Sequence, residues 1–160
     1  MRQMERKDSE PVRALLKEYL AKFAVHFEFS KEEIEHFLLP REDVVESFVV
    51  EDKQTGALTD FVSFYSLPSS VLKHVEIRNL RAAYSFYHVP KKHTLTQLIK
   101  DALIIAKKKG YDVFNALDVM ENEEFLQELK FGVGDGNLHF YLYNWRIPEF
   151  QPKDIATVLV

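Results

Sequence analysis

The spacing of apolar residues near the start of the chain predicts an amphipathic helix. Asp8 or Ser9 can cap it, and Pro11 suits its first turn because that turn needs no backbone donor. The apolar positions recur every three or four residues, as one buried helix face requires. They are Val12, Leu15, Leu16, Tyr19, Leu20 and Phe23.

Two further helices have marked ends. Ser30 and Glu33 match a capping box, in which each side chain binds the other residue's backbone N–H, and Pro40 is expected to follow the end of that short helix. The other helix begins at Thr94 or Thr96, both of which can serve as its cap. Gly110 lies just past its end, as is common after a helix. The apolar residues on one face of this helix are Leu95, Leu98, Ile99, Ala102, Leu103 and Ala106.

Runs of β-branched and aromatic residues predict a hairpin and a third strand. Residues 47–51 have the pattern of a strand, 52–56 of a turn and 58–67 of the returning strand, which Pro68 is expected to end. A further strand is predicted at 80–89. Three strands in this order favour antiparallel pairing.

The last third of the chain alternates between short strands and helices. Residues 112–116 are predicted to form a buried strand and 121–130 a compact helix; a glycine-rich loop then leads into a strand at 138–144. The order of elements predicts an α+β fold, in which helices pack on a mixed, mostly antiparallel sheet. No linker or repeat interrupts the sequence, so we expect residues 1–160 to form a single domain.

Composition and charge narrow the classes of function. The net charge is −4 and no long Lys or Arg block is present, so a nucleic-acid partner is not expected. The chain contains no Cys, which rules out thiolate chemistry and is compatible with a reducing compartment. No apolar run approaches the roughly 20 residues that cross a bilayer, so we predict no transmembrane segment and a cytoplasmic location.

Few residues suggest chemistry by their spacing alone. The six histidines show no metal-site spacing, so no metal is expected, and each is interpreted as a solvated or hydrogen-bonded residue. The aromatic residues of the strands, Tyr84 and Tyr87 among them, could line a groove, although strand alternation favours the core. The three glycines at 132–136 either permit positive φ in a connection or let another chain approach a bare backbone. In the second case Asp135 would bind a donor group on that chain.

The end of the sequence is unusually apolar. Residues 155–160 contain only one polar side chain, Thr157, whereas chain ends are commonly polar and frayed. The pattern indicates a tail that packs inside the protein and brings its α-carboxylate with it. A tail strand docked for stability explains the same pattern.

Four blocks of sequence, at 59–69, 82–87, 112–118 and 130–143, follow one another along the chain. The last contains the run Lys-Phe-Gly-x-Gly-Asp-Gly. Together they resemble the protein N-myristoyltransferase family, and the resemblance covers essentially all 160 residues. Members of that family have two related halves of GNAT-like acetyltransferase fold. The resemblance therefore implies a GNAT-like fold for this chain, as the second half alone.

The resemblance also implies roles for individual residues. Val160 would supply its terminal carboxylate as the general base that takes a proton from the N-terminal glycine of the acceptor peptide. Asp135 and the Gly136 amide would hold a Ser of that peptide. The residues implied to bind the peptide are Ser69, Tyr84, Asn115, Asp135, Gly136, Leu138 and Leu159.

The same resemblance implies that this half does not catalyse acyl transfer alone. The first-half signature of the family is absent, as is any glycine loop placed to hold coenzyme A, so no cofactor is expected on this half by itself. Myristoyl-CoA would be the co-substrate of the complete enzyme, with the N-terminal half and glycine-terminated peptides as partners. Two alternatives remain: a non-catalytic module that binds such peptides or a partner protein, and a free-standing acetyltransferase-like enzyme.

Overall fold

The structure, a computed structural model, describes residues 1–70, 79–134 and 136–158; for Ser70 and Asn79 it describes the backbone only. The strands and helices follow in chain order. They are β1 (Arg2–Gln3), α1 (Ser9–Leu20), β2 (Val25–His26), α2 (Lys31–Leu38), β3 (Val45–Glu51), β4 (Leu58–Ser70), β5 (Asn79–Pro90), α3 (Leu95–Lys108), β6 (Val113–Asn115), α4 (Glu123–Leu126) and β7 (Ile155–Ala156).

A five-stranded sheet organises these elements, with the strand order β1-β3-β4-β5-β6. The first three pairings are antiparallel, and β6 joins β5 in parallel. A separate parallel pair links β2 to β7. The predicted mixed, mostly antiparallel sheet flanked by helices is therefore confirmed.

Helices cover both faces of the sheet. On one face α1 and α2 bury an apolar cluster that includes Leu16, Ile34 and Phe61, all at most 1% exposed. On the other face α3 packs its predicted apolar stripe against Phe48 and Phe64. Each such side chain contributes roughly 1.5–3 kcal/mol through burial, so both helical layers stabilise the sheet.

The predicted caps of α2 and α3 are confirmed, whereas Asp8, the N-cap residue of α1, makes no side-chain capping hydrogen bond to that helix. The hydroxyl of Ser30 accepts the Glu33 N–H at 3.1 Å, and the Glu33 carboxylate accepts the Ser30 N–H at 2.8 Å. Thr94, rather than Thr96, caps α3 by accepting the Gln97 N–H at 3.2 Å. These local bonds satisfy donors that the first helical turn leaves unpaired.

Two glycines take the left-handed conformation that their positions require. Gly56, with φ of 71°, closes the predicted turn between β3 and β4. Gly110, with φ of 80°, follows the end of α3 as expected. Since residues with a Cβ are strained at such φ values, these positions fix where both elements end.

A buried carboxylate sets the start of α3. Asp60 in β4 is fully buried and accepts hydrogen bonds at 2.9–3.0 Å from the backbone N–H groups of Lys91, Lys92 and His93. The His93 ring and the Thr59 hydroxyl bind its second oxygen. Burial alone would raise the pKa of Asp60, but these hydrogen bonds outweigh it and the pKa is lowered.

The prediction that Pro68 ends the second hairpin strand is wrong. Strand β4 continues to Ser70, with Pro68 opposite Arg81 of β5. The N–H of Ser66 points to the β3 side, where it binds Val44, and the ring nitrogen of Pro68 points the same way. Because β3 pairs with β4 only as far as Tyr65, no ladder bond is lost there.

Two other elements differ from the prediction. The strand predicted as buried at 112–116 is the shorter β6 (Val113–Asn115), and it lies at an edge of the sheet with Val113 and Asn115 exposed. The helix predicted at 121–130 is regular only over α4 and continues as turns. Its inward residue Phe125 is fully buried as expected.

In the part of the chain that the structure describes, no helix has the length and apolar character needed to cross a membrane.

Candidate functional site

Three polar side chains form a row across the end of the sheet. Tyr84 of β5 lies opposite Tyr65 of β4 on one side and opposite Asn115 of β6 on the other. Paired residues of neighbouring strands point to the same face, so the three side chains are neighbours. The Tyr65 and Tyr84 rings stack with centroids 5.3 Å apart.

Ser69 lies on the same face of β4 as Tyr65, because residues four apart on a strand point the same way. Its hydroxyl donates to the backbone oxygen of Leu67 at 3.2 Å. Ser69, Tyr84 and Asn115, which the sequence assigned to a peptide site, thus lie on one face. Tyr84 and Asn115 are direct neighbours.

This end of the face is accessible. Leu67 on β4 is 49% exposed and Val113 on β6 is 37% exposed, although both are apolar strand residues. The α3 helix covers the opposite face, and α1 and α2 cover the part of this face nearer Phe61. The exposed end is therefore an apolar surface with a few hydrogen-bonding side chains, a combination that is typical of ligand-binding sites.

The row carries little charge of its own. Burial raises the pKa of Tyr65, and the neighbouring Tyr84 raises it further. The Tyr65 hydroxyl is therefore protonated at neutral pH. Hydrogen bonding and apolar contact, rather than ion pairing, are what these side chains provide.

The chain's final described residues are held firmly. Strand β7 pairs with β2, and Ala156, Thr157 and Val158 are buried. The N–H of Val158 donates to the Tyr87 hydroxyl at 3.1 Å. This confirms for residues 156–158 the predicted packing of the tail inside the protein. Leu159 and Val160, the last peptide-binding residue and the base implied by the sequence, lie outside the described residues.

The predicted strand at 138–144 is wrong. The described residues of this segment form no strand, and Leu138, Tyr141 and Tyr143 are 56%, 86% and 88% exposed. Its alternating apolar pattern is that of a strand, but a strand forms only against a partner, and none pairs with it in the described parts of the chain.

The glycine loop does not join Tyr84 and Asn115 in this structure. Gly136 is exposed, no hydrogen bond connects either Gly136 or Leu138 with those two residues in the described ranges, and Asp135 lies outside them. The interpretation that the loop glycines serve positive φ is wrong for Gly132 and Gly134, where φ is not in the left-handed range. At Gly132, Gly134 and Gly136 an added Cβ would meet nothing within 4 Å.

His88 was interpreted as solvated or hydrogen-bonded, and the structure contradicts this. It is fully buried, and neither ring nitrogen has a hydrogen-bond partner among the residues described. The His88 ring packs edge-on against the Tyr19 ring, with the two ring centroids 5.9 Å apart. Burial lowers the pKa of His88 to about 4, so the ring is neutral at physiological pH.

A separate cleft of about 440 Å³ lies near the start of the chain. Its walls include Gln3, Leu39 and Glu46, and the buried Glu46 carboxylate binds the Lys109 ammonium at 2.7 Å and the Gln3 amide at 3.2 Å. Among the described residues, none that the sequence assigned to the site lines this cleft. Within the described ranges, no group of three or more His, Asp or Glu side chains could hold a metal ion.

Known proteins match the chain over nearly its whole length. Residues 1–157 match the family model described as myristoyl-CoA:protein N-myristoyltransferase, C-terminal domain. Glycylpeptide N-tetradecanoyltransferase 1 of Arabidopsis thaliana is 52% identical over 160 residues, which are 99% of this chain and 37% of that protein. The chain thus spans well under half the length of this relative.

Solved structures agree in fold. The N-myristoyltransferase of Saccharomyces cerevisiae with bound myristoyl-CoA superposes with a TM-score of 0.77 at 36% identity, covering 84% of this chain and 37% of that one. A Trypanosoma brucei acetyltransferase matches with a TM-score of 0.61 at 15% identity over 88% of this chain and 97% of its own, which shows an acetyltransferase-like fold. The chain belongs to the myristoyl-CoA:protein N-myristoyltransferase family, as its carboxy-terminal domain.

Proposed function

We propose that this chain is the peptide-acceptor part of an enzyme that transfers myristate from myristoyl-CoA to the N-terminal glycine of proteins. The observation that carries the proposal is the family match across residues 1–157. The complete enzyme would consist of this chain and an N-terminal half that holds the acyl-CoA. This chain alone would bind no cofactor, would form one domain over residues 1–160, and would act in the cytoplasm.

The peptide would lie along the accessible end of the sheet. Tyr84, Asn115 and Ser69 would hydrogen-bond its backbone and side chains, and the exposed Leu67 and Val113 would contact its apolar atoms. The alignment of the three polar residues on one face supports this role. Ligand sites commonly combine an apolar lining with a small number of placed polar groups in this way.

The glycine loop would complete the groove. Asp135 and the Gly136 amide would bind a Ser of the peptide, and Leu138 and Leu159 would pack beside it. The glycines at 132 and 134 support this part of the proposal, because their backbone conformation in this chain does not require a glycine. A bare backbone is useful where another chain must come close.

The α-carboxylate of Val160 would act as the general base. It would take one proton from the glycine ammonium, and the free amine would attack the thioester carbon. The new C–N bond forms, the C–S bond breaks, and the second amine proton goes to the departing coenzyme A sulfur. The burial of Ala156 and Val158 supports a tail held in place for this role.

The first proton transfer is unfavourable in water. An α-carboxyl has a pKa near 3.5 and an α-amino group near 8, so the transfer costs roughly 6 kcal/mol at about 1.36 kcal/mol per unit. Removal of water raises the pKa of the acid and lowers that of the ammonium, which narrows the difference. The apolar tail provides such surroundings.

Adding back the N-terminal half tests the proposal. We expect the mixture of this chain with a family N-terminal half to transfer myristate to a glycine-terminated peptide, whereas neither part alone does so. Peptide binding by this chain without transfer by the mixture would favour the non-catalytic module. Tight coenzyme A binding by this chain alone would favour a free-standing acetyltransferase.

A further inference from the structure

A β-bulge in β5 gives Tyr87 an unusual direction. Between the pairs Val62–His88 and Phe64–Ser85, strand β4 has the single residue Ser63, whereas β5 has Phe86 and Tyr87. Consecutive strand residues normally point to opposite faces, but a bulge re-aims one of them. Here both Phe86 and Tyr87 enter the same apolar cluster, below α1 and α2.

Ser63 fixes this bulge. Its hydroxyl accepts the Tyr87 N–H at 3.0 Å and donates to the Tyr87 backbone oxygen at 2.9 Å. The extra residue of a bulge is left without regular hydrogen bonds to the neighbouring strand. Here the two bonds from Ser63 take their place and satisfy the Tyr87 backbone. The backbone of Tyr87 is therefore held in one position although the strand is irregular.

Neighbouring aromatic side chains pack around the ring of Tyr87. Phe86 lies 4.8 Å away and Phe29 packs edge-on at 5.2 Å, and Tyr87 is only 1% exposed. Phe86 also contacts Tyr65, which stacks on Tyr84. A continuous series of rings thus runs from Tyr84 of the proposed peptide groove to Tyr87.

The Tyr87 hydroxyl meets the tail at a buried position. It accepts the Val158 N–H at 3.1 Å, two residues before Val160, and Val158 is 5% exposed. A buried N–H without a partner costs about 1–3 kcal/mol, so this bond favours one position of the tail strongly. In addition to the β2–β7 pairing, this hydrogen bond connects the tail to the central sheet at Val158, the last described residue.

We propose that Tyr87 is a positioning residue for acyl transfer, which holds the tail so that the Val160 carboxylate stands beside the glycine amine. The inference rests on the proposed function. Tyr87 itself need not touch the substrate. Because proton transfer requires the base within hydrogen-bond reach of the amine, loss of the Val158 bond lowers the turnover rate.

Tyr87→Phe in the complete enzyme tests this role, since it removes the hydroxyl and keeps the ring. We expect kcat to fall about tenfold at pH 7 while the peptide KM changes less than twofold. The deficit shrinks as pH rises toward 9, because the substrate amine, with a pKa near 8, then loses its proton to solvent. A fault in folding alone does not produce this recovery with pH.

Tyr19→Phe is the matched control. The Tyr19 side chain is also buried; its hydroxyl donates to Glu121 at 3.0 Å and has no hydrogen bond to the described residues of the tail. The Tyr19→Phe variant should lower the unfolding temperature, as Tyr87→Phe does, and should leave kcat unchanged. Equal loss of kcat in both variants, or a Tyr87→Phe deficit that is the same at every pH, overturns the positioning role.

One further variant distinguishes failure of this inference from failure of the proposed function. A Gly added after Val160 moves the base directly. If that extension lowers kcat and Tyr87→Phe does not, the base stands and the role of Tyr87 is refuted. If neither change lowers kcat, the carboxylate is not the base, and both proposals fail.

Discussion

The hydroxyl of Tyr87 lies 3.1 Å from the backbone nitrogen of Val158 and accepts its hydrogen, although the two residues are 71 positions apart in the chain. The bond joins the bulged strand of the central sheet to the tail. On the sheet side, aromatic contacts continue from Tyr87 to Tyr84, beside Asn115. The proposed peptide groove and the described end of the tail are therefore both connected to strand β5.

Asn115→Ala should weaken peptide binding more than catalysis. We expect the peptide KM of the complete enzyme to rise about five- to tenfold, because one lost hydrogen bond corresponds to about 1 kcal/mol. The kcat should change less than twofold. Steady-state kinetics with a glycine-terminated peptide measures both. Gln97→Ala, an exposed change on α3 over the opposite face, is the control; equal effects of the two variants would remove Asn115 from the site.

His88 should make the protein sensitive to mild acid. Its pKa of about 4 when folded lies below the 6.5 of the unfolded chain, so the unfolded state binds more protons as pH falls from 6.5 to 4. Stability contributed by the neutral ring is present above pH 6.5, and about 3 kcal/mol is lost across that window. Lys22 disfavours the charged ring, whereas Glu121 favours it.

Chemical denaturation of His88→Leu at pH 7 and pH 4.5 checks this expectation. The variant should lose less stability on acidification than the parent chain does. His139→Leu, at an exposed histidine, should leave the loss unchanged. Identical pH dependence in the parent and in His88→Leu would show that His88 titrates normally in the folded protein.

Asp60→Ala should destabilise the fold by roughly 3 kcal/mol at pH 7, because three buried N–H groups at the start of α3 lose a charged acceptor. Since the pKa of Asp60 is lowered on folding, its contribution is present above pH 4 and disappears as pH falls through the folded value. Urea unfolding measures the loss. Asp52→Ala, at the exposed hairpin turn, should cost clearly less; a comparable cost would contradict the special role of Asp60.

The exposed segment around 138–147 should make the isolated chain associate. Tyr141, Tyr143 and Trp145 are each more than 70% exposed, and large apolar surfaces of this kind promote contact between molecules. Sedimentation velocity should show a concentration-dependent increase in mass, reduced when these three residues are changed to Ser. Ile104→Ser, at an exposed site on α3, should have little effect. A parent chain that stays monomeric at high concentration would contradict the expectation.

Local signals allowed much of the fold to be predicted. The Ser30–Glu33 capping box acts within a few residues, so sequence alone identifies it, whereas at α3 the sequence left Thr94 and Thr96 as alternative caps. The continuation of β4 through Pro68 depends on where β3 stops, which no local pattern records. The segment at 138–144 was predicted wrongly for a related reason: its alternation is real, but strand formation requires a partner.

The candidate site was predictable only in part. The family motifs led to the prediction of Tyr84, Asn115 and Ser69 as peptide-binding residues, and strand register explains why these three share a face. Tyr87 could be named as aromatic core, but its link to Val158 depends on the bulge opposite Ser63 and on tail packing. Both are long-range features. The buried, unpaired state of His88 in the described structure likewise follows from packing against α1.

Turnover by the complete enzyme with one Gly appended after Val160 tests the central claim most directly. We expect kcat to fall at least a hundredfold, the lower range for loss of a positioned general base. Val160→Leu, which changes the side chain but keeps the carboxylate in place, should retain kcat within about threefold. Full activity of the extended chain would contradict the account, because the carboxylate would then have no catalytic part.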